Sequence, residues 1–224
     1  MRRVRRPKRG QPPTTTAAME ELIVLLQAAI EAANVERWAL EHGEARPPAG
    51  LKGLLRTNAY EVTVVDAFHR LARRHLERHG YVGVWERPLL TGRRGRPKAI
   101  DVSLFHDATK KESRIELGLY TKSKLRDDAR KLHREQGNPG LPGYEIEFNL
   151  LAFWELKPAK TTALVIDDWM QTFINDAADV STADYTVQPL LASTMDLFAA
   201  ETSGHRYAVV GLFEVRSTAQ QPAL

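Results

Sequence analysis

The sequence predicts an α/β domain built on a mixed sheet flanked by helices, and three features of the 224-residue chain predict it. An apolar stripe recurs at helical spacing through Val64, Val65, Phe68, Leu71, Ala72 and Leu76, with Arg70, Arg73, Arg74 and Arg78 opposite. Three segments rich in Val, Ile, Leu and aromatics follow in tandem, separated by Gly-rich or charged turns. A short helical segment and a long apolar strand come next, so helices and strands share one domain. Hydrophobic residues make up 43% and charged residues 27%, the balance of a chain that buries a core rather than a disordered or collagenous one.

Taken in order, residues 1–13 carry six Arg or Lys in the first ten positions and a Pro pair, which predicts a disordered basic arm. Residues 14–50 hold an N-terminal helix and a linker. The helix runs from about Ala17 to His42, with Thr14–Thr16 as N-cap candidates and Gly43 as its stop. Its middle, LIVLLQAAIEAA, is apolar around much of its circumference and offers a face for the domain body or for a second copy of the chain. Residues 51–160 form the α/β core. They comprise a helix over Ala59–His79, strands over Tyr81–Leu90, Lys98–His106 and Ser113–Tyr120, a helix over Lys122–Glu135 and a strand over Glu145–Leu156. Residues 161–224 complete the same domain with helices near Thr162–Ala178 and Pro189–Ala200 and a last strand at Arg206–Arg216.

Charge divides the chain. Residues 1–136 hold 28 Lys and Arg against 17 Asp and Glu, a balance of +11, whereas residues 137–224 hold 4 against 11, a balance of −7. A basic front half points to a polyanionic partner, nucleic acid above all. Arg2, Arg3, Arg5 and Arg6 of the arm would attract phosphate without reading sequence. So would Lys124 and the loop Gly92-Arg93-Arg94-Gly95-Arg96-Pro97-Lys98, where Arg93, Arg94, Arg96 and Lys98 are the cations. Its R-G-R-P core resembles an AT-hook, whose arginines enter the minor groove of A·T-rich DNA; a plain basic turn explains the same residues. Apolar runs reach only five residues, as in Leu22–Leu26, too short to span a bilayer. With no secretory pattern and no cysteine, the expectation is a cytoplasmic protein without disulfides or thiolate chemistry.

Alternation on the second strand sets Ile100, Val102 and Leu104 against Ala99, Asp101 and Ser103. On the third it sets Ile115, Leu117 and Leu119 against Glu116, Gly118 and Tyr120. If these strands pair, Asp101 and Glu116 protrude together; one must protonate or a cation must lie between them. Oxygen donors without thiolates or a histidine cluster suit a hard dication, and solvation on an open sheet face is the alternative. Glu61 lies on the apolar side of its helix, either joining those acids or forming a capping box with Asn58. Lys122 starts the stripe Lys122, Leu125, Ala129, Leu132, facing inward or snorkelling to solvent. His75 and His79 have metal-ligating spacing but lack a third ligand, and Trp38 could stand exposed at a helix end.

The runs RPKAIDVSLF and ESRIELGLYTKSKL, with the helix bearing Glu61, resemble the PD-(D/E)XK nuclease superfamily over about Asn58–Leu156. That resemblance implies a restriction-endonuclease-like fold in which Glu61 is the helix acid, Asp101 the strand Asp and Glu116 the Glu of E-x-K. Gly118 stands where the family has its lysine, and Lys122, with Lys124 behind it, is the candidate substitute. The resemblance further implies metal-dependent phosphodiester hydrolysis. Asp101, Glu116 and Glu61 would hold Mg²⁺ or Mn²⁺, Lys122 would orient the attacking water or stabilise the developing oxyanion, and DNA would be the substrate ahead of RNA. A nuclease-like fold without catalysis, binding nucleic acid or protein, is the other expectation.

Overall fold

The computed structural model describes residues 15–42, 58–88, 99–158, 165–197 and 205–218. The basic arm, the whole R-G-R-P loop and the linker between the first two helices lie outside the described residues, as do the side chains of Trp38 and Asn58. The expectations placed on Arg2, Arg3, Arg5, Arg6, Arg93, Arg94, Arg96 and Lys98 therefore have no structural counterpart.

Helices α1 (Thr15–His42) and α2 (Asn58–Leu76) come first, α2 passing through a 3₁₀ turn to Gly80, whose φ of +83° closes the helix end. Strands β1 (Tyr81–Pro88), β2 (Ala99–His106) and β3 (Lys111–Leu119) form an antiparallel meander. Helix α3 (Lys122–Arg134) carries the chain over to β4 (Glu145–Pro158), which lies parallel to β3; a parallel pair needs such a crossover. Helix α4 (Val165–Val180) and strands β5 (Tyr185–Asp196) and β6 (His205–Ser217) complete one six-stranded mixed sheet of order β1-β2-β3-β4-β6-β5.

Apolar side chains line both faces of this sheet. Leu150, Ala152 and Trp154 of β4 join Leu22, Leu26 and Ile30 of α1 and Val64 and Phe68 of α2 in one core. Leu151 and Phe153 of β4 join Leu125, Ala129 and Leu132 of α3 and Trp169 and Phe173 of α4 in the other. A strand covered on both sides is continuously apolar, as Leu150–Trp154 is. Helix α1 thus buries its apolar face within its own chain, and Gln27 reaches Ser193 Oγ on β5 at 3.0 Å. No helix among the described residues is long and apolar enough to cross a membrane.

One element differs in kind from the expectation. The segment read as a helix over Pro189–Ala200 is instead, as far as Asp196, the edge strand β5, paired antiparallel with β6. Its Leu and Ala content mimics a helical stripe, but the ladder to β6 supplies its hydrogen bonds from residues distant in sequence. Pro189, which has no N–H to donate, sits where the register shifts between Pro189 and Leu191 on this outer strand.

Candidate functional site

Three charged residues of β3 form a row beneath α3. Glu112, Arg114 and Glu116 are buried and alternate with Ser113, Ile115 and Leu117, the last two belonging to the opposite core. At the start of the row, Glu112 Oε1 accepts from Arg114 Nε at 2.8 Å and lies 3.0 Å from Arg87 Nη2. Glu112 Oε2 accepts from the Gly140 backbone N–H at 2.6 Å, and Arg114 Nη1 donates to the Glu135 carbonyl at 2.6 Å. This network sets Glu112 between the buried Arg114 guanidinium and the largely buried one of Arg87, though Arg87 Nη2 makes no hydrogen bond, and fastens the α3–β4 connection to the sheet.

Further along, the β2–β3 ladder stops at Val102 and Ile115. Beyond that point Asp101 Oδ2 accepts the Leu117 backbone N–H at 2.8 Å, so a carboxylate takes over the ladder's hydrogen bond. The β1–β2 ladder also passes over Asp101 and its opposite number Glu86, which adopts a φ of +46°. Strict alternation fails here: Ile100 joins the α3–α4 core, while Val102 and Leu104 join the α1–α2 core. The irregularity opens the sheet at the acid.

Glu116 is buried on the next strand. Lys131 Nζ of α3 lies 2.5 Å from its Oε2, while its Oε1 has no hydrogen-bond partner. Burial, and then the Asp101 charge beside it, push the Glu116 carboxyl well above its ordinary range, with Lys131 acting in the opposite direction. Burial likewise raises Asp101, against the Leu117 hydrogen bond and the ammoniums of Lys131 and Lys124. A third acid, Asp128 of α3, is raised by burial against the same two lysines, and its Oδ2 also lacks a hydrogen-bond partner. The Asp101 charge thus reaches Glu116 although the alternation along β2 breaks at Asp101, and α3 adds an acid and two lysines.

Gly118 explains how a lysine enters. A Cβ built on Gly118 would lie 1.9 Å from Lys124 Cε, 2.8 Å from Lys124 Nζ and 2.5 Å from Glu61 Oε1. The end of Lys124 therefore fills the space that a side chain at position 118 would claim. Lys124 Nζ lies 3.0 Å from Glu61 Oε1 and 3.6 Å from Asp128 Oδ2. Burial works against this ammonium, but Asp128, Glu61 and Asp101 outweigh it and hold its pKa above the ordinary value. The Thr121 side chain accepts the Lys124 backbone N–H at 3.1 Å, fixing Lys124 in the capped first turn of α3.

Lys122 stands elsewhere. Its Nζ lies 3.0 Å from Asp176 Oδ1 and 2.5 Å from Asp179 Oδ2, both on α4. Helical geometry separates the two lysines. At about 100° per residue, Lys124, Asp128 and Lys131 fall within about 60° of one another on one flank of the Leu125–Ala129–Leu132 stripe, with Lys122 on the other flank. The i, i+4, i+7 spacing of Lys124, Asp128 and Lys131 is visible in the sequence, but nothing in it says which flank meets the acids. Glu61, expected at the cation, has Lys124 as its partner.

Among the described residues no three acids or histidines, His75 and His79 included, are arranged so as to hold a metal ion. The donor chemistry nevertheless fits a hard cation: two buried carboxylate oxygens, Glu116 Oε1 and Asp128 Oδ2, have no donor, and three acids disfavour their charged form. Comparison of the chain with protein-family models, curated proteins and solved structures returned no match.

Proposed function

We propose that this protein is a metal-dependent nuclease-like hydrolase of DNA phosphodiester bonds, with Asp101, Glu116 and Lys124 as its working residues. The observation that carries the reading is the end of Lys124 lying in the space of the absent Gly118 side chain, next to the acids of two neighbouring strands. An E-x-K lysine and a lysine delivered from α3 would then present an ammonium to the same point by different routes.

In this reading Asp101 and Glu116 hold Mg²⁺, or Mn²⁺ in its place, and the ion when bound would activate water and offset charge on the phosphate. The Leu117 N–H aims the Asp101 carboxylate. Lys124 stabilises negative charge developing on the phosphoryl oxygens, and being half-buried it acts more strongly than it would in bulk water. Glu61 and Asp128 orient that ammonium and keep it protonated. The basic arm and the R-G-R-P loop supply phosphate attraction, and the likeness of that loop to a minor-groove element favours DNA over RNA.

A second reading, a nucleic-acid-binding module without catalysis, draws on the absence of a three-acid metal set among the described residues and on the pairing of Glu116 with Lys131. One experiment separates the two. Supercoiled and linear DNA are incubated with the full chain in Mg²⁺, Mn²⁺ or chelator, alongside Asp101→Asn, Glu116→Gln and Lys124→Met. The hydrolase reading expects cutting that needs the metal and is lost in all three variants. Salt-sensitive binding without cutting would select the second reading, and cutting that survives Asp101→Asn would dismiss this site.

A further inference from the structure

We infer that Lys131 is a tethered counter-ion of the acid site: its ammonium holds Glu116 Oε2 in the cation-free protein and must withdraw before a divalent cation binds that carboxylate. The inference rests on the cation reading above and adds a competitor to it.

Charge balance is the first support. Glu61, Asp101, Glu116 and Asp128 supply four carboxylates, and Lys124 and Lys131 supply two ammoniums. With all six ionised the cluster is two charges short of neutral, the charge of one dication. The second support is how the ammoniums are spent. Lys124 is paired with Glu61 at 3.0 Å, and Lys131 with Glu116 at 2.5 Å. Asp101 has a backbone N–H instead, and one oxygen each of Glu116 and Asp128 has no donor. Lys131 therefore sits on the acid that is fully buried, where an unpaired carboxylate is most costly.

The competition follows from electrostatics. An ammonium in contact with Glu116 repels a dication approaching the same carboxylate, and in a partly desolvated site that repulsion is weakly screened. Lys131 is tied to the sheet at its charged end and is 15% exposed, so its four-carbon stem gives the ammonium a route outward by rotamer change. Removing Lys131 should then have two effects of opposite sign. The cation-free fold loses the partner of Glu116, and the cation gains an oxygen that no longer has to be vacated. A purely structural ion pair would give only the loss, and a lysine that positions Glu116 for the cation would weaken binding.

The test uses the full chain as wild type, Lys131→Met and Glu116→Gln, titrated with Mn²⁺ by calorimetry and melted with and without Mn²⁺. Lys131→Met is expected to melt lower than wild type in chelator, to bind Mn²⁺ at least tenfold more tightly, and to gain more in melting temperature from Mn²⁺. Glu116→Gln is expected to lose Mn²⁺ binding. If Lys131→Met does not fold, Lys131→Gln removes the charge while keeping a donor and carries the same expectations. Mn²⁺ binding to Lys131→Met that is no tighter than to wild type overturns the counter-ion role and leaves the cation site standing. No Mn²⁺ binding to wild type or Lys131→Met, or binding indifferent to Glu116→Gln, overturns the cation site itself.

Discussion

Replacing Lys124 by methionine removes one charge from the acid site while keeping most of the side chain's volume, and two separable costs can be worked out. The Lys124–Glu61 pair is partly in solvent, with side chains 32% and 29% exposed, so its loss should lower stability by only about 1 kcal/mol. For a chain of this size that shifts the melting temperature by about 2–4 °C. If Lys124 stabilises charge on a reacting phosphate, the rate should fall by about 10²–10³-fold, a much larger effect of ~3–4 kcal/mol. Lys122→Met is the matched control: it breaks a 40%-exposed pair to α4, with a similar small stability cost and no change in rate. Gly118→Lys combined with Lys124→Ala should restore much of the activity. The atoms that a Cβ at position 118 would meet are the end of Lys124, which the alanine lacks, and the movable end of Glu61. The assay is the initial rate of DNA cleavage in Mg²⁺, read beside thermal melts of the same preparations. Activity lost in Lys122→Met but kept in Lys124→Met would refute the assignment of the lysine.

Three further outcomes follow from the packing and charges. Burial raises the carboxyls of Asp101, Glu116 and Asp128, so the folded chain holds protons that the unfolded chain releases at about pH 4. Their contribution is full below about pH 4 and is lost as pH rises through the folded values; urea midpoints of chelated protein should show a shallower loss over that range in Glu116→Gln, and an equal slope would count against the shift. Glu112→Gln should destabilise by about 3–5 kcal/mol, because it leaves Arg114 buried and Arg87 largely buried without their anionic partner; a change under 1 kcal/mol in urea melts would show the network to be dispensable. Gly211→Ala should cost about 1–3 kcal/mol by overpacking, since its Cβ would lie 2.4 Å from Phe173 Cε2 and 3.1 Å from Trp169 Cη2 on α4; an unchanged melting temperature would mean that α4 yields freely.

The order of elements was legible in the sequence because hydrophobic period is a local property: 3.6 residues along α2 and α3, 2 along β3, and an unbroken apolar run along β4. The polar row Glu112, Arg114, Glu116 and the gap at Gly118 could be read from the alternation of β3 alone. Helix and strand were confused at β5, whose hydrogen bonds go to β6 across a stretch of other residues and whose own composition fits either state.

Although it did not show that Ile100 and Val102, either side of Asp101, join opposite cores, the chain itself determined that the acids Glu112 and Glu116 share one face of β3, since successive side chains on an extended backbone point to opposite sides. It did not determine which lysine meets them. Lys122 and Lys124 are two residues apart on one helix, and the rotation of α3 against the sheet, set by burying Leu125, Ala129 and Leu132, turns one lysine toward α4 and the other toward Gly118. Asp128 and Lys131 arrive by the same rotation. Only packing decides that angle, because it is the fit of one element on another, and no local period along the chain encodes it.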